Sequence, residues 1–522
     1  MKSISFIDLE VQADSGKVLD YGAIKSSGAT HHGSVPGAFS EFLSGTDFVC
    51  GHNLIDHDSR YISEMLNSLS ITSDRLIDTL PLSALLFPKK PYHALLKDEK
   101  FFSEELNNPL NDSIKSRDLF YDEIAAYEAL DIPLQRIYWL LLSKQPEFVG
   151  FFQYLNLSFE GDTAECIRGS FSDDICRQAA LHTFIAENPV ALAYCLANIR
   201  TRDPFSLLPK WIIRNYPDTE RIMHLLRSVP CVEGCPYCSG VLDPHRGLKR
   251  FFGYDAFRKF NDQPLQENAV RAAIHGKSLL AVFPTGGGKS ITYQIPALIS
   301  SEAEKGLTVI LSPLQSLMKD QVDNLEKAGI HEAVTINGLV DPLERARAIE
   351  RIAEGNASIL YISPESLRSK TIERLLTGRK IVRFVIDEAH CFSAWGQDFR
   401  IDYLYIGKFL KKLKELKCLA EPIPVSCFTA TAKQSVIEDI RNYFREQNGL
   451  ELDLIQTSVA RVNLNYHVIL KLTDDEKYQE LRSLLEQKNC PTIIYVNRTK
   501  RAEELAKRLT GDGLPAKPYH DR

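Results

Sequence analysis

The stretch AVFPTGGGKSITYQIP, residues 281–296, restricts the fold of this chain more than any other. The apolar run from Leu279 to Phe283 predicts a buried strand. Pro284 to Gly288 break it, and a helical pattern begins at Lys289 and Ser290. Strand, glycine turn and helix start together make a phosphate cradle. Glycines let backbone N–H groups point inward, and a helix N-terminus favours an anion. In such a cradle Thr285, Gly286, Gly287 and Gly288 wrap the phosphates. Lys289 reaches the outer ones and Ser290 holds Mg²⁺. Phe283 stands six residues before the lysine, where the general string has glycine.

The 522 residues suffice for roughly three or four domains of ~150 residues. Hydrophobic residues make up 44% and charged residues 25%, as in ordinary soluble proteins. Net charge is −6, so any contact with nucleic acid must come from local basic patches. No apolar run is long enough to span a bilayer. The start, MKSISFIDLE, places an acid at residue 8 and is not a signal peptide. A cytoplasmic location of bacterial type is expected. Eleven cysteines in that setting are expected to be reduced, buried or metal-bound. There is no internal repeat.

Ser3 to Leu9 alternates and predicts a strand ending in Asp8-Leu-Glu10. Residues two apart on a strand share a face, so Asp8 and Glu10 present two carboxylates together, as a divalent metal requires. Phe48 to Gly51 predicts a second strand, followed by GHNLIDHDSRYI. That string resembles the second motif of DEDD-type 3′→5′ exonucleases, and DLE at 8–10 resembles the first. The resemblance implies an RNase H-like fold over residues 1–130, with Asp58 as third acid and Asp112 as fourth. It also implies a divalent-metal site formed by these four. Family members carry a His or Tyr shortly before the last acid, where this sequence has Asn107 and Asn108. His93 and Asp98 in HALLKD are the second choice for that motif.

From Asp131 the pattern turns helical, with apolar residues recurring at three and four. A small helical domain, 131–248, is expected. It contains CVEGCPYC, with Cys231, Cys235 and Cys238 around Pro and Gly. A tight turn can aim three thiolates inward at a soft metal. Cys195 and His245 are the candidates for a fourth ligand. A radical-SAM site would need a surrounding barrel, and a glutaredoxin site a thioredoxin-like fold; neither pattern is visible. Structural zinc and an iron–sulfur cluster both remain open.

Beyond Phe251 the motifs become specific. FFGYDAFRKFNDQPLQENAV resembles motif 0 of the RecQ helicases, with a few residues inserted before Gln266. The resemblance implies that Tyr254 stacks on adenine while Arg258 and Gln266 hydrogen-bond it. The form PTGGGKS is usual in superfamily 2 helicases. SPLQSLMKDQV, 312–322, resembles motif Ia, whose Ser312 and Gln315 would meet DNA phosphates. Asp387-Glu388-Ala389-His390 follows a predicted strand about a hundred residues after the cradle. There Asp387 would hold Mg²⁺ and Glu388 would align the attacking water. CFSAWGQDFR, 391–400, resembles the aromatic-rich loop of RecQ helicases. Trp395 and Phe399 would stack on bases, worth ~1–3 kcal/mol each, and Arg400 adds charge. FTATA at 428–432 resembles motif III.

The fold class expected is α/β. It comprises the RNase H-like domain, the helical domain, a RecA-like ATP-binding domain over 249–450 and the start of a second RecA-like domain over 451–522. In the last, PTIIYVNRTKRAEELAKRL predicts a strand and a helix. Motifs V and VI with their arginine finger do not occur in the sequence, so very slow hydrolysis is expected of the chain alone. The resemblance implies ATP and Mg²⁺ as cofactors and single-stranded or junction DNA as partner. It implies 3′→5′ unwinding in repair or recombination, with a linked exonuclease. An RNA helicase and a DNA-binding module without hydrolysis are the rival readings.

Overall fold

The computed structural model describes residues 2–12, 14–90, 93, 95, 108–201, 207–232, 234–284, 286–338, 340–393, 400–430, 433–456, 465–488 and 490–519. The chain divides into two compact units, Met1–Val459 and Ala460–Arg522. Thr285, Trp395, Phe399, Asp98 and Asn107 lie outside the described residues.

The first unit begins with a five-stranded sheet: β1 (Ile4–Val11), β2 (Val18–Lys25), β3 (Thr30–Gly33), β4 (Phe48–Gly51) and β5 (Leu76–Asp78). Its order is β3–β2–β1–β4–β5. The β1–β2 and β2–β3 pairs are antiparallel, and β1–β4 and β4–β5 are parallel. The central strand β1 is covered on both faces, so its side chains divide between two cores. Ile4 and Phe6 join one, Ile7 and Leu9 the other. The helix Pro109–Glu128 lies over the Phe6 face, with the Phe6 and Phe120 rings 5.7 Å apart. Its first turn comes so close to β2 that a Cβ on Gly22 would lie 2.1 Å from the Pro109 carbonyl carbon.

Helices from Ile132–Leu142 to Asp218–Arg227 follow, and their apolar faces continue the first of these cores without a break. This layer is fastened to the next sheet by Glu304, 6% exposed. Lys380 Nζ lies 2.7 Å from its carboxylate and His224 Nδ1 2.9 Å. Burial would raise the Glu304 pKa, but the Lys380 ammonium and the His224 hydrogen bond hold it down to about 2.

The second sheet has seven strands: β6 (Leu279–Val282), β7 (Leu307–Leu311), β8 (Ala333–Ile336), β9 (Ile359–Ile362), β10 (Ile381–Ile386), β11 (Val425–Thr429) and β12 (Asp453–Gln456). The order is β12–β6–β11–β10–β7–β9–β8, and every pair is parallel. Strands with both faces covered are continuous apolar runs, and β6, β7 and β9 are buried at each position. β12 pairs with β6, so this sheet extends past the boundary expected at 450.

The second unit holds the helices Asp474–Lys488 and Thr499–Gly511. The strand predicted after Pro491 is not formed: its segment has no ladder partner among the described residues, and Ile493 is 78% and Tyr495 90% exposed. An apolar run becomes a parallel strand only when neighbours pair with it. Among the described residues no helix is long and apolar enough to cross a membrane.

Candidate functional site

The cradle forms where β6 ends. Gly286 and Gly288 have φ of 77° and 74°, the left-handed region that glycine tolerates without strain. Gly288 is the N-cap of the helix Lys289–Glu304. A Cβ there would lie 2.6 Å from Gln266 Nε2, a second reason for glycine. Gln266 is buried and donates to the Gly288 carbonyl at 2.9 Å, while its Oε1 accepts from Arg258 N at 2.9 Å. Arg258 Nη1 donates to the Gly286 carbonyl at 2.6 Å. The two polar residues expected at adenine therefore brace the cradle itself. Tyr254 beside them is 55% exposed, leaving a ring face open.

β10 ends two strands away from β6 in the sheet, at the same carboxyl edge, where parallel α/β sheets bind ligands. Lys289 Nζ reaches across to Glu388 Oε1 at 3.2 Å. Glu388 has φ of 49°, unusual for a non-glycine residue and typical of functional turns. His390 Nδ1 lies 3.2 Å from Glu388 Oε2 and 3.1 Å from Thr429 Oγ1. The His390 hydrogen bond and the Lys289 ammonium hold the Glu388 carboxyl below its usual range, against the opposing effect of burial. Asp387 is pushed up to about 6 by burial, with Lys289 opposing. A buried carboxylate facing the Lys289 ammonium at the mouth of the cradle suits a site for a cation-bearing phosphate. Tyr403, which sequence reasoning missed, donates to the Asp387 carbonyl at 3.0 Å and fixes the turn.

Arg400 Nη1 donates to the Pro313 carbonyl at 3.2 Å, and Arg400 N to the Cys391 carbonyl at 3.1 Å. The far end of the aromatic-rich segment is thereby held against the turn carrying Ser312 and preceding Gln315. Ser312 Oγ is buried without a hydrogen-bond partner.

In the first sheet, Asp8 stands opposite Gly22 in register. Directly paired residues share a face, so Asp8 and Glu10 face the helix Pro109–Glu128, whose first turn contains Asp112. Asp112 lies 3.6 Å from Lys115. Asp58 is 2% exposed, accepts from His57 at 2.9 Å and is raised to about 6 by burial. These four acids do not form a group whose oxygens all lie within 4.8 Å; among the described residues only one cluster meets that measure, and it is made of thiols. Two carboxylates escaped the sequence reading. Asp78 accepts from the N–H groups of Asn53, Ile55 and Leu80. Glu123 is fully buried with neither oxygen hydrogen-bonded, and burial pushes its carboxyl far above the usual range. His93 bonds Ser83 Oγ at 2.9 Å.

The thiol cluster is Cys176, Cys231, Cys235 and Cys238. The fourth member is neither residue expected. Cys195 is fully buried in the helical core and donates to the Thr219 carbonyl at 3.3 Å. His245 pairs with Glu267 at 3.0 Å.

Comparison with known proteins agrees with the second sheet. Residues 263–440 match the family model of the DEAD/DEAH box helicases. The chain is 37% identical over 277 residues to the ATP-dependent DNA helicase RecQ of Haemophilus influenzae, covering 52% of this chain and 40% of that one. It is likewise 37% identical over 259 residues to the probable ATP-dependent DNA helicase RecS of Bacillus subtilis, covering 50% and 48%. The chain thus spans less than half the length of these curated relatives. The solved DUF1998 helicase MrfA superposes with a TM-score of 0.40 at 19% identity over 52% of this chain and 40% of that one, too loosely to carry an argument. The cradle and Asp387–His390 lie inside the stretch matched by the DEAD/DEAH box helicase model, and over about half of its length the chain is similar to RecQ-type DNA helicases.

Proposed function

We propose that the first unit is the ATP-binding engine of a RecQ-type DNA helicase. The observation that carries this reading is the Lys289–Glu388 bridge at 3.2 Å, which joins the phosphate cradle to the residue that would orient water. In this reading Tyr254 stacks on the adenine ring. Thr285 to Gly288 and Lys289 bind the phosphates. Ser290 and Asp387 hold Mg²⁺, which supplies neutralisation of phosphate charge. An arriving γ-phosphate competes for Lys289 and frees Glu388, so that the water-orienting carboxylate is released only when nucleotide is bound. Ser312, Gln315 and Arg400 take single-stranded DNA, joined by Trp395 and Phe399 as the family resemblance implies. His390 joins the Glu388 turn to Thr429, a path by which DNA contact and hydrolysis can influence each other. Unwinding in the 3′→5′ direction, at strand junctions in repair or recombination, follows from the family resemblance.

The test is linkage. Affinity for a fluorescent ATP analogue should change when single-stranded DNA saturates the protein, and DNA affinity should change by the same factor with ATP present. Identical nucleotide affinity with and without DNA would remove the coupling on which the reading depends.

A second activity is favoured by the register of β1 and β2. It brings Asp8 and Glu10 under the helix turn that carries Asp112, with Asp58 as a buried fourth acid. Carboxylates so placed suit a pair of divalent ions cutting a 3′ phosphodiester. Single strands labelled at the 5′ end should shorten in the presence of Mg²⁺ or Mn²⁺. The double change Asp8→Ala with Glu10→Ala should stop it, and digestion that persists would exclude this site.

A further inference from the structure

Four thiols from two distant parts of the helical layer meet at one point. Cys176 lies in the connection between the helices Thr163–Ser170 and Leu181–Glu187. Cys231, Cys235 and Cys238 lie in and after the turn that opens the helix Pro236–Val241. Their sulfurs all lie within 4.8 Å of one another, and all four thiols are free. Cys176, Cys235 and Cys238 are 4%, 8% and 5% exposed.

We infer that these four cysteines bind one tetrahedral divalent ion of the zinc type, and that the ion fastens the helical layer to the nucleotide-binding sheet. The spacing selects a single ion. Metal–sulfur bonds of about 2.3 Å in a tetrahedron set sulfurs about 3.8 Å apart, inside the observed limit. Thiolates around a four-iron cluster stand further apart, because the cluster occupies the space between them. The surroundings are those of metal thiolates. Cys235 N points at Cys231 Sγ at 3.3 Å, and Arg177 N at Cys235 Sγ at 3.5 Å. Such N–H bonds orient thiolates and spread their charge. Gly234, with φ of 64°, makes the turn that lets Cys231 and Cys235 face one centre.

The consequence lies next along the chain. The helix Pro236–Val241 leads into Pro244–Phe252, and Tyr254 follows at once. Gly247 of that second helix packs against the helix that begins with Lys289: a Cβ there would lie 3.0 Å from Ile299 Cδ1. An ion that fixes the first helix therefore fixes the entry to the adenine-side residues. It also closes a long loop between Cys176 and Cys231, which restricts the unfolded chain.

The experiment is metal analysis of the full chain with two serine variants. The purified chain should carry one equivalent of zinc, and Cys176→Ser should lose most of it while Cys195→Ser keeps it. A chelator strong enough to strip the zinc should lower the melting temperature of the parent and make four further thiols reactive. Cobalt loaded into the stripped parent should give the visible spectrum of a tetrahedral tetrathiolate, a readout that survives if Cys176→Ser fails to fold. Iron with inorganic sulfide, or zinc retained in Cys176→Ser and lost in Cys195→Ser, would overturn the assignment. So would a stripped parent that takes up no cobalt while still folded.

Discussion

Lys289→Ala is expected to reduce ATP hydrolysis to background while leaving the fold intact. The ammonium sits at the mouth of the glycine turn, 3.2 Å from Glu388 Oε1. It carries the mobile positive charge able to follow the γ-phosphate as charge builds up there. A contact that strengthens in the transition state acts on turnover more than on binding, and losing one such donor costs about a hundredfold or more. The fold should tolerate the change. Lys289 pairs with Glu388, their side chains 15% and 25% exposed. A partly solvated ion pair contributes about 1 kcal/mol or less. The measurements are steady-state phosphate release and a melting curve. Turnover equal to the parent with an unchanged melting temperature would refute the phosphate role of Lys289.

The features read most directly from the sequence were those whose partners are close in the chain. The cradle is a strand, a turn and a helix start in one run, and the structure forms β6 and the helix Lys289–Glu304 at that place. Asp387 and Glu388 follow an apolar strand, β10, in the same way. Asp8 and Glu10 were placed on one face of β1 by period two alone. The fourth thiol was different. Cys176 has no motif, because the chain between it and Cys231 folds into several helices before returning. Cys195 was the nearer candidate by sequence, but a cysteine on an all-buried helix is a small apolar side chain, and its thiol finds a carbonyl.

Pairing information was equally hidden. Asp453–Gln456 is a half-exposed strand that exists because β6 offers it an edge. The stronger apolar run after Pro491 has no such edge among the described residues of its unit and forms no strand. Gln266 and Arg258 were found by a motif, yet their bonds to the Gly288 and Gly286 carbonyls depend on how a preceding loop folds back. Glu123 gave no signal at all. On a helical wheel it is one more acid of a polar helix, and only the packing of that helix into the fold buries it.

That packing can be tested at its tightest point. Gly22→Ala should destabilise the first unit by about 3 kcal/mol or more, since overpacking against backbone leaves no side chain to yield. The added carbon would lie 2.1 Å from the Pro109 carbonyl carbon, 2.2 Å from Leu110 N and 2.4 Å from the Pro109 oxygen. The helix turn it meets is itself fixed, because Asn108 caps it through bonds to Leu110 N and Asn111 N. Glycine in an open strand has the opposite behaviour, and alanine there is worth about 0.5–1 kcal/mol of added stability. The sign therefore decides whether the helix lies on β2 as described. Gly33→Ala on β3 is the control, since nothing lies within 4 Å of its added carbon. Both variants are compared by thermal melting of the full chain. If the four acids form one site, the shift of the helix also carries Asp112 away from Asp8, so Gly22→Ala should lose strand digestion at temperatures where it is still folded. A Gly22→Ala protein as stable as Gly33→Ala would show that the helix turn does not rest on β2, and with it the placement of Asp112 would fall.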